Sequence, residues 1–204
     1  MYIAIAGNIG SGKTTLTNLL VKNYGYTPVF EQSEDNPYLV NFYNDMRRWA
    51  FNLQVYFLQN RYSHLIGALK EYKDIVQDRT IYEDAYIFAP TLHNMGLLSA
   101  VDYETYISLF NLLNSLTPAP DLLVYLKASV PTLISLITKR GRIYENTIRL
   151  DYINSLNKRY DDWIEGYQGK KIVIDVDNLN IIDNPKDLGV VFDKISAEIN
   201  PLFK

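Results

Sequence analysis

The 204-residue chain contains no cysteine. That excludes a thiolate nucleophile, a disulfide framework and Cys-ligated zinc or iron–sulfur centres. It fits a reducing compartment, and a cytoplasmic location is expected. Histidine is almost as scarce: His64 and His93 stand alone, without metal-like partner spacing, and both read as structural or surface residues. No apolar run approaches the ~18 residues of a membrane span, so no membrane partner is expected. The opening MYIAIAG has neither the basic start nor the long apolar run of a secretory leader. Cations are not in excess, with 20 Lys and Arg against 23 Asp and Glu. A broad nucleic-acid surface is therefore not expected. Glycine and proline are few, at 10 and 8, against 48% hydrophobic residues. That balance excludes a disordered chain and suits a single domain over residues 1–204. Tyrosine, by contrast, is abundant at 17 and reads as amphipathic packing near the surface.

Five short apolar runs, Tyr2–Ala6, Thr27–Phe30, Ile75–Gln77, Leu122–Leu126 and Lys171–Val176, are β-branched or aromatic and bounded by polar or turn residues. Each reads as a buried strand. Helical patterns lie between them, over Lys13–Tyr24, Arg47–Leu69, Thr80–Asn94, Asp102–Ser115, Pro131–Lys139, Asp151–Glu165 and Lys186–Ile199. Alternating strands and helices predict an α/β fold with a parallel sheet covered on both faces. Chemistry in such folds collects at the carboxyl ends of the strands.

The first strand runs into Gly7-Asn8-Ile9-Gly10-Ser11-Gly12-Lys13-Thr14 and then a helix. This is G-x-x-x-x-G-K-[ST] in its strand–loop–helix setting. The glycines let backbone N–H groups turn toward phosphate oxygens, and the helix adds its positive end. Lys13 would reach the β- and γ-phosphates, and Thr14 would place its hydroxyl on Mg²⁺. The motif predicts a nucleoside triphosphate bound with Mg²⁺, without separating a GTPase, a motor and a small-molecule kinase. No N-K-x-D segment for guanine is found, since Asn157-Lys158 continues as Arg159-Tyr160.

The second strand leads to Glu31, a candidate base for an attacking hydroxyl. The competing reading is a solvated carboxylate opening an acidic loop with Glu34 and Asp35. The third strand ends in Asp78-Arg79-Thr80. Asp78 suits Mg²⁺, through water, or a helix cap. Arg79 suits the charge of a transferring phosphoryl group, or an ion pair with Asp78. Lys139, Arg140, Arg142 and Arg149 crowd eleven positions of an acidic chain. They read as an arginine lid pivoting at Gly141, or as cations favouring a helix C-terminus.

Together these motifs resemble the deoxynucleoside kinase family, over nearly the whole chain. Glu31–Pro37, Asp78–Asp84 and Lys139–Arg142 look most like its bacterial deoxyadenosine/deoxyguanosine branch. The resemblance implies a P-loop kinase fold, five parallel strands sandwiched by helices, an Arg-rich lid at about 139–149 and usually a homodimer. It implies Glu31 as general base on the 5′-hydroxyl and Arg79 on that hydroxyl and the phosphoryl group. It further implies Tyr43 and Glu145 on the sugar 3′-hydroxyl. Gln54, Arg61 and Asp84 would face the base with Phe88 stacking beside it, and Arg140 and Arg142 would close over the ATP phosphates. It also suggests the segment Asp175–Asn180 beside the ATP adenine.

Gln54 and Arg61 are seven residues apart and share a helix face, which suits a pocket wall or an exposed polar stripe. Asp84 suits the base or a surface position beside Glu83. An ionised Asp84 only accepts hydrogen bonds and so favours an exocyclic amine. The expected order is adenine, then guanine or cytosine, with thymine last. The leading function is ATP–Mg²⁺-dependent phosphorylation of a deoxynucleoside, most of all deoxyadenosine. A nucleoside monophosphate kinase, with Arg47 and Arg48 taking the acceptor phosphate, and a non-catalytic nucleotide-binding subunit are the rivals.

Overall fold

All five apolar runs become strands: β1 (Tyr2–Gly7), β2 (Thr27–Val29), β3 (Ile75–Asp78), β4 (Leu122–Lys127) and β5 (Lys171–Asp175). The computed structural model describes residues 1–32, 36–142, 145, 147–181 and 184–199. The strands pair in parallel in the order β2-β3-β1-β4-β5. Parallel neighbours cannot be joined by hairpins, so every connection carries helix. The helices are α1 (Lys13–Tyr24), α2 (Leu39–Asn44), α3 (Met46–Glu71), α4 (Ile81–Glu83), α5 (Ala89–Asn94), α6 (Ala100–Ser115), α7 (Val130–Arg140), α8 (Leu150–Gly166) and α9 (Pro185–Ile199). None of the described helices is long and apolar enough to cross a membrane.

The sheet is covered on both faces because β1 is apolar at every position and alternates sides. Ile3 and Ile5 pack with Leu16 and Leu20 of α1 and with Val191 and Ile195 of α9. Tyr2, Ala4 and Ala6 face the other way, with Leu53, Leu58 and Leu65 of α3 and Tyr160 of α8. The small Ala4 and Ala6 lie in the same packed layer as the large Tyr125 and Tyr160, whose rings stack at 5.8 Å. Tyr106, Tyr125, Tyr152 and Tyr160 are fully buried, which corrects the near-surface reading for these four.

The sheet register sets the position of the chemistry. Ile5 of β1 pairs with Asp78 of β3, and Gly7 pairs with Leu126 of β4. The loop after β1 and the Asp78-Arg79 pair therefore emerge side by side at one carboxyl edge. Arg79 N–H still donates to Ile5 O at 3.0 Å, one residue beyond the strand.

Two elements depart from the sequence expectation. Helix α2 was not expected at all. The helix expected over Thr80–Asn94 is interrupted by a π-helical turn, Asp84–Phe88, in which Ala89 N–H donates to Asp84 O. Pro90 gives the physical reason. Proline has no N–H to donate one turn back, and its ring crowds the carbonyl four residues earlier. One wider turn just before it relieves that conflict. The start of this segment is a capping box: Glu83 reaches back to Thr80 N–H at 2.8 Å. Asp78 is therefore not the helix cap.

The central strand carries the stability consequence. Ile5 is fully buried, and Ile5→Ala should lower stability by about 2–5 kcal/mol. The expected readout is a lower urea midpoint at an unchanged denaturant slope; an unmoved midpoint would remove Ile5 from the core.

Candidate active site

The loop after β1 is shaped by contacts that admit no side chain. A Cβ on Gly7 would stand 2.4 Å from Ser11 Oγ and 2.9 Å from Leu126 O. One on Gly10 would stand 2.7 Å from Ile137 of α7. Asn8 pins the loop to α8: its Nδ2 donates to Asn157 Oδ1 at 3.1 Å, while its Oδ1 accepts Ile9 N–H at 2.8 Å. Lys13 lies across the loop with Nζ on Asn8 O at 3.0 Å. Burial, with Arg79 nearby, lowers the Lys13 ammonium to about 8.

Thr14 Oγ1 donates to Asp78 Oδ2 at 2.5 Å. Asp78 Oδ1 is buried and has no hydrogen-bond partner. Burial raises the Asp78 carboxyl and Lys13 opposes it. A hydroxyl and a carboxylate with a spare oxygen, placed at a phosphate loop, fit a hard cation such as Mg²⁺. Among the described residues no group of three or more His, Cys, Asp or Glu could cage a metal.

Opposite the loop, Glu31 sits between two guanidinium groups. Arg61 Nη2 donates to its Oε1 at 2.5 Å, and Arg79 Nε to its Oε2 at 3.2 Å. Burial would raise this carboxyl, but Arg79, then Arg61 and Lys13, outweigh it and hold it at about 2. Glu34 and Asp35, named with Glu31 as an acidic loop, lie outside the described residues. Arg61 also holds both carboxylate oxygens of Asp84 through Nη1 and covers the Phe57 ring at 4.5 Å. Burial pushes the Asp84 carboxyl up to about 6 against the pull of Arg61. Asp84 and Glu83 are both buried, so neither is a surface charge. Gln54 is buried beside them with Oε1 unpartnered, and the exposed-stripe alternative is excluded.

Arg79 is the only non-glycine residue with positive φ among those described, at +69°. Such a backbone costs about 1–3 kcal/mol and persists only where the surroundings fix it. Its Nη1 donates to Tyr160 Oη at 2.8 Å, and Phe88 lies under its guanidinium at 4.7 Å. Its ion pairs are with Glu31 and Glu83, not with Asp78.

One cavity of about 850 Å³ collects these groups. Its walls include Ile9, Gly10, Gly12, Lys13, Thr14, Glu31, Tyr43, Gln54, Arg61, Arg79, Asp84, Phe88, Arg140, Arg142 and Glu145. Lys139 lines it too. Arg140 pairs with Glu145 through both guanidinium and carboxylate arms, and Arg142 approaches the same carboxylate at 3.9 Å. Residues 143, 144 and 146 of the expected lid lie outside the described residues. Gly141 ends α7 in the left-handed conformation. Arg149 is instead paired with Asp151 at the exposed start of α8, so it is not a cavity residue. Arg47 and Arg48 line a separate cavity with Phe51 and Asp102 and cannot serve the Glu31 neighbourhood.

A deoxynucleoside kinase family model matches residues 3–200. The chain belongs to the deoxynucleoside kinase family. A deoxyadenosine/deoxycytidine kinase of Bacillus subtilis is 35% identical over 201 residues, covering 97% of this chain and 93% of the relative. A deoxyguanosine kinase of the same organism is also 35% identical, over 210 residues, covering 98% and 97%. The solved structure of deoxyadenosine kinase from M. mycoides, with products dCMP and a flexible dCDP bound, matches with a TM-score of 0.87 at 33% identity. That match covers 97% of this chain and 100% of the other. This deoxynucleoside kinase is accordingly an enzyme that phosphorylates deoxynucleosides, which removes the non-catalytic rival.

Sequence reasoning on the deoxynucleoside kinase missed two buried groups beneath its cavity, Glu83 and Tyr160. For Glu83 a signal existed, the capping-box spacing Thr80-x-x-Glu83. For Tyr160, distant in sequence and one of 17 tyrosines, none did.

The Glu31 clamp has a pH signature. Its folded value lies below the ordinary 4.5, so the folded chain binds that proton less tightly than the unfolded one. The resulting stability is full above pH 4.5 and fades as the pH falls toward 2. Glu31→Gln should therefore melt lower at pH 7, by about 1–3 kcal/mol. The gap to the parent should narrow below pH 4.5. Thermal melts across that range check it; equal stability at neutral pH would refute the clamp.

Proposed function

We propose that the enzyme transfers the γ-phosphoryl group of ATP–Mg²⁺ to the 5′-hydroxyl of a deoxynucleoside, deoxyadenosine foremost. The observation that carries this reading is the placement of a guanidinium-clamped carboxylate, Glu31, across one cavity from the phosphate loop. The loop residues Gly7 to Thr14 would cradle the donor phosphates, with Lys13 on the β- and γ-phosphates. Thr14 and Asp78 would hold Mg²⁺, which would supply neutralisation of the charge that develops on the phosphates. Glu31 takes the proton of the attacking hydroxyl. A carboxylate held near 2 is a weak base before substrate enters. That suits a loose phosphoryl-transfer transition state, in which positioning and electrostatics do most of the catalysis. Arg79 and the lid arginines, Arg140 and Arg142, spread the charge on the transferring group.

The sugar lies, in this reading, against Tyr43 and Glu145, and the base against Gln54, Arg61, Asp84 and Phe88. The acceptor-rich floor supports the base order. Asp84 accepts only, and Gln54 offers an unpartnered Oε1. An exocyclic amine such as adenine N6 answers both. Cytosine N4 offers the same chemistry, and guanine would lean on Arg61. The relatives named for deoxyadenosine, deoxycytidine and deoxyguanosine match that set. Thymine O4 would set acceptor against acceptor, an unpaired contact worth about 1–3 kcal/mol. A monophosphate acceptor would meet Glu31 without Arg47 or Arg48. The homodimer, for which exposed Val101 and Leu112 of α6 and Leu116 just after it are available, and a cytoplasmic setting are parts of the same proposal.

The deciding assay is ADP release from ATP–Mg²⁺ with deoxyadenosine, deoxyguanosine, deoxycytidine, thymidine and their monophosphates. Deoxyadenosine should lead and thymidine should come last. A lead by thymidine would overturn the base pocket, and turnover of monophosphates alone would overturn the acceptor.

The lid has its own test. Arg140 is about one-third exposed but pairs with the buried Glu145, so Arg140→Ala should lower kcat about tenfold or more while lowering stability far less. Wild-type turnover would remove Arg140 from the reaction.

A further inference from the structure

Beneath the cavity floor lies a buried cluster to which no role has been given. Glu83 is completely inaccessible and Tyr160 equally so. Glu83 Oε1 accepts Gly7 N–H at 3.2 Å and the Tyr160 hydroxyl at 2.8 Å, and stands 3.5 Å from Arg79 Nη1. Its Oε2 accepts Thr80 N–H at 2.8 Å. Tyr160 in turn accepts Arg79 Nη1–H at 2.8 Å. One carboxylate thus touches the first amide of the phosphate loop, the backbone just after β3 and, directly and through a tyrosine, the guanidinium of Arg79.

We propose that Glu83 and Tyr160 are positioning residues for phosphoryl transfer, fixing Arg79 against the phosphate loop. The proposal rests on Arg79 acting at the transferring group, as set out above. A general cap for α4 would need only the Glu83–Thr80 contacts. The additional contacts go to the loop and to the one described non-glycine residue with positive φ. Arg79 is held at three points: Nε on Glu31, Nη1 on Tyr160 and Glu83, and its flat face over Phe88. Nη2 has no hydrogen-bond partner among the described residues and remains as the donor for a phosphoryl oxygen. A planar guanidinium fixed at two nitrogens has its third nitrogen fixed as well. Gly7 N–H is spent on Glu83, so the first loop amide acts as an anchor while later amides are left for phosphate. A displacement of either anchor moves Arg79 relative to the donor without removing any group that binds nucleoside or ATP. The loss should therefore fall on kcat, not on KM.

The test compares the parent with Tyr160→Phe, Glu83→Gln, Arg79→Lys and the double variant Arg79→Lys/Tyr160→Phe. Deoxyadenosine, or the nucleoside that turns over fastest in the panel above, and ATP–Mg²⁺ are each varied. Tyr160→Phe keeps the ring stacked on Tyr125 and is the variant that should fold unimpaired. It should lower kcat about tenfold with both KM values within about threefold, the size of one hydrogen bond to a charged group. Glu83→Gln should show the same split with a larger kcat loss. The double variant should be no slower than Arg79→Lys alone. Wild-type kcat in Tyr160→Phe, a loss confined to KM, or an additive double variant would overturn the positioning role. Undiminished kcat in Arg79→Lys would instead overturn the reading of Arg79 itself, a separate result from the same set.

Discussion

The constraint on which this enzyme is built is the burial of unlike charges against one sheet edge. On and just below the cavity floor, Lys13, Arg61 and Arg79 meet Glu31, Asp78, Glu83 and Asp84. Charges taken out of water are tolerable only when paired and hydrogen-bonded. The pairing here is uneven, and the unevenness differentiates the carboxylates. Glu31 receives two guanidinium groups and is held at about 2, whereas Asp78 has only the Thr14 hydroxyl and is raised. Asp84 has one guanidinium and deep burial, and is raised to about 6. The least compensated oxygen is Asp78 Oδ1, which is buried without a hydrogen-bond partner next to the phosphate loop.

The topology makes that density of charge possible. In a parallel sheet every strand delivers its carboxyl end to the same edge. With β1 between β3 and β4, the phosphate loop and Asp78-Arg79 leave adjacent strands at nearly the same height. The polar residues of α3 come from the flank. Gln54 and Arg61 interrupt an otherwise apolar buried face of Leu53, Leu58 and Leu65, and the burial of Arg61 is supported by Glu31 and Asp84 across the cavity. Sequence order and spatial order differ throughout.

The sequence was most informative where a local motif and a period coincided. The phosphate loop, the five strands, Asp78-Arg79 and the shared face of Gln54 and Arg61 all depend on short-range spacing, and each lies where that spacing puts it. Strand ends shifted by one residue; β2 stops at Val29, not Phe30. What was hidden depended on long-range contact. Glu83 beside Asp84 reads as a solvated acidic pair until Gly7 and Tyr160 arrive from distant parts of the chain. Helix α2 was hidden for a different reason, since six residues are too short to show a helical period. The tyrosines show the same limit: composition gives their number, but only packing reveals that Tyr160 is a hydrogen-bonded core residue.

The π-helical turn joins these threads. Pro90 makes a regular helix through this segment unfavourable, and the wider turn before it is where Asp84 and Phe88 reside. A wider turn changes the angular step between residues, so the side chains on either side of it no longer follow the regular helical face. Glu83, in α4 ahead of the wider turn, reaches Gly7 and Tyr160 beneath the sheet edge, while Asp84, the next residue and so on a different helix face, meets Arg61 across the cavity. Two adjacent carboxylates are thereby committed to different partners. Glu83 serves the phosphate loop and Arg79, and Asp84 serves the pocket wall. One short segment thus supports the loop after β1 from below and Arg61 from the side, with neighbouring carboxylates that do not compete for the same cation.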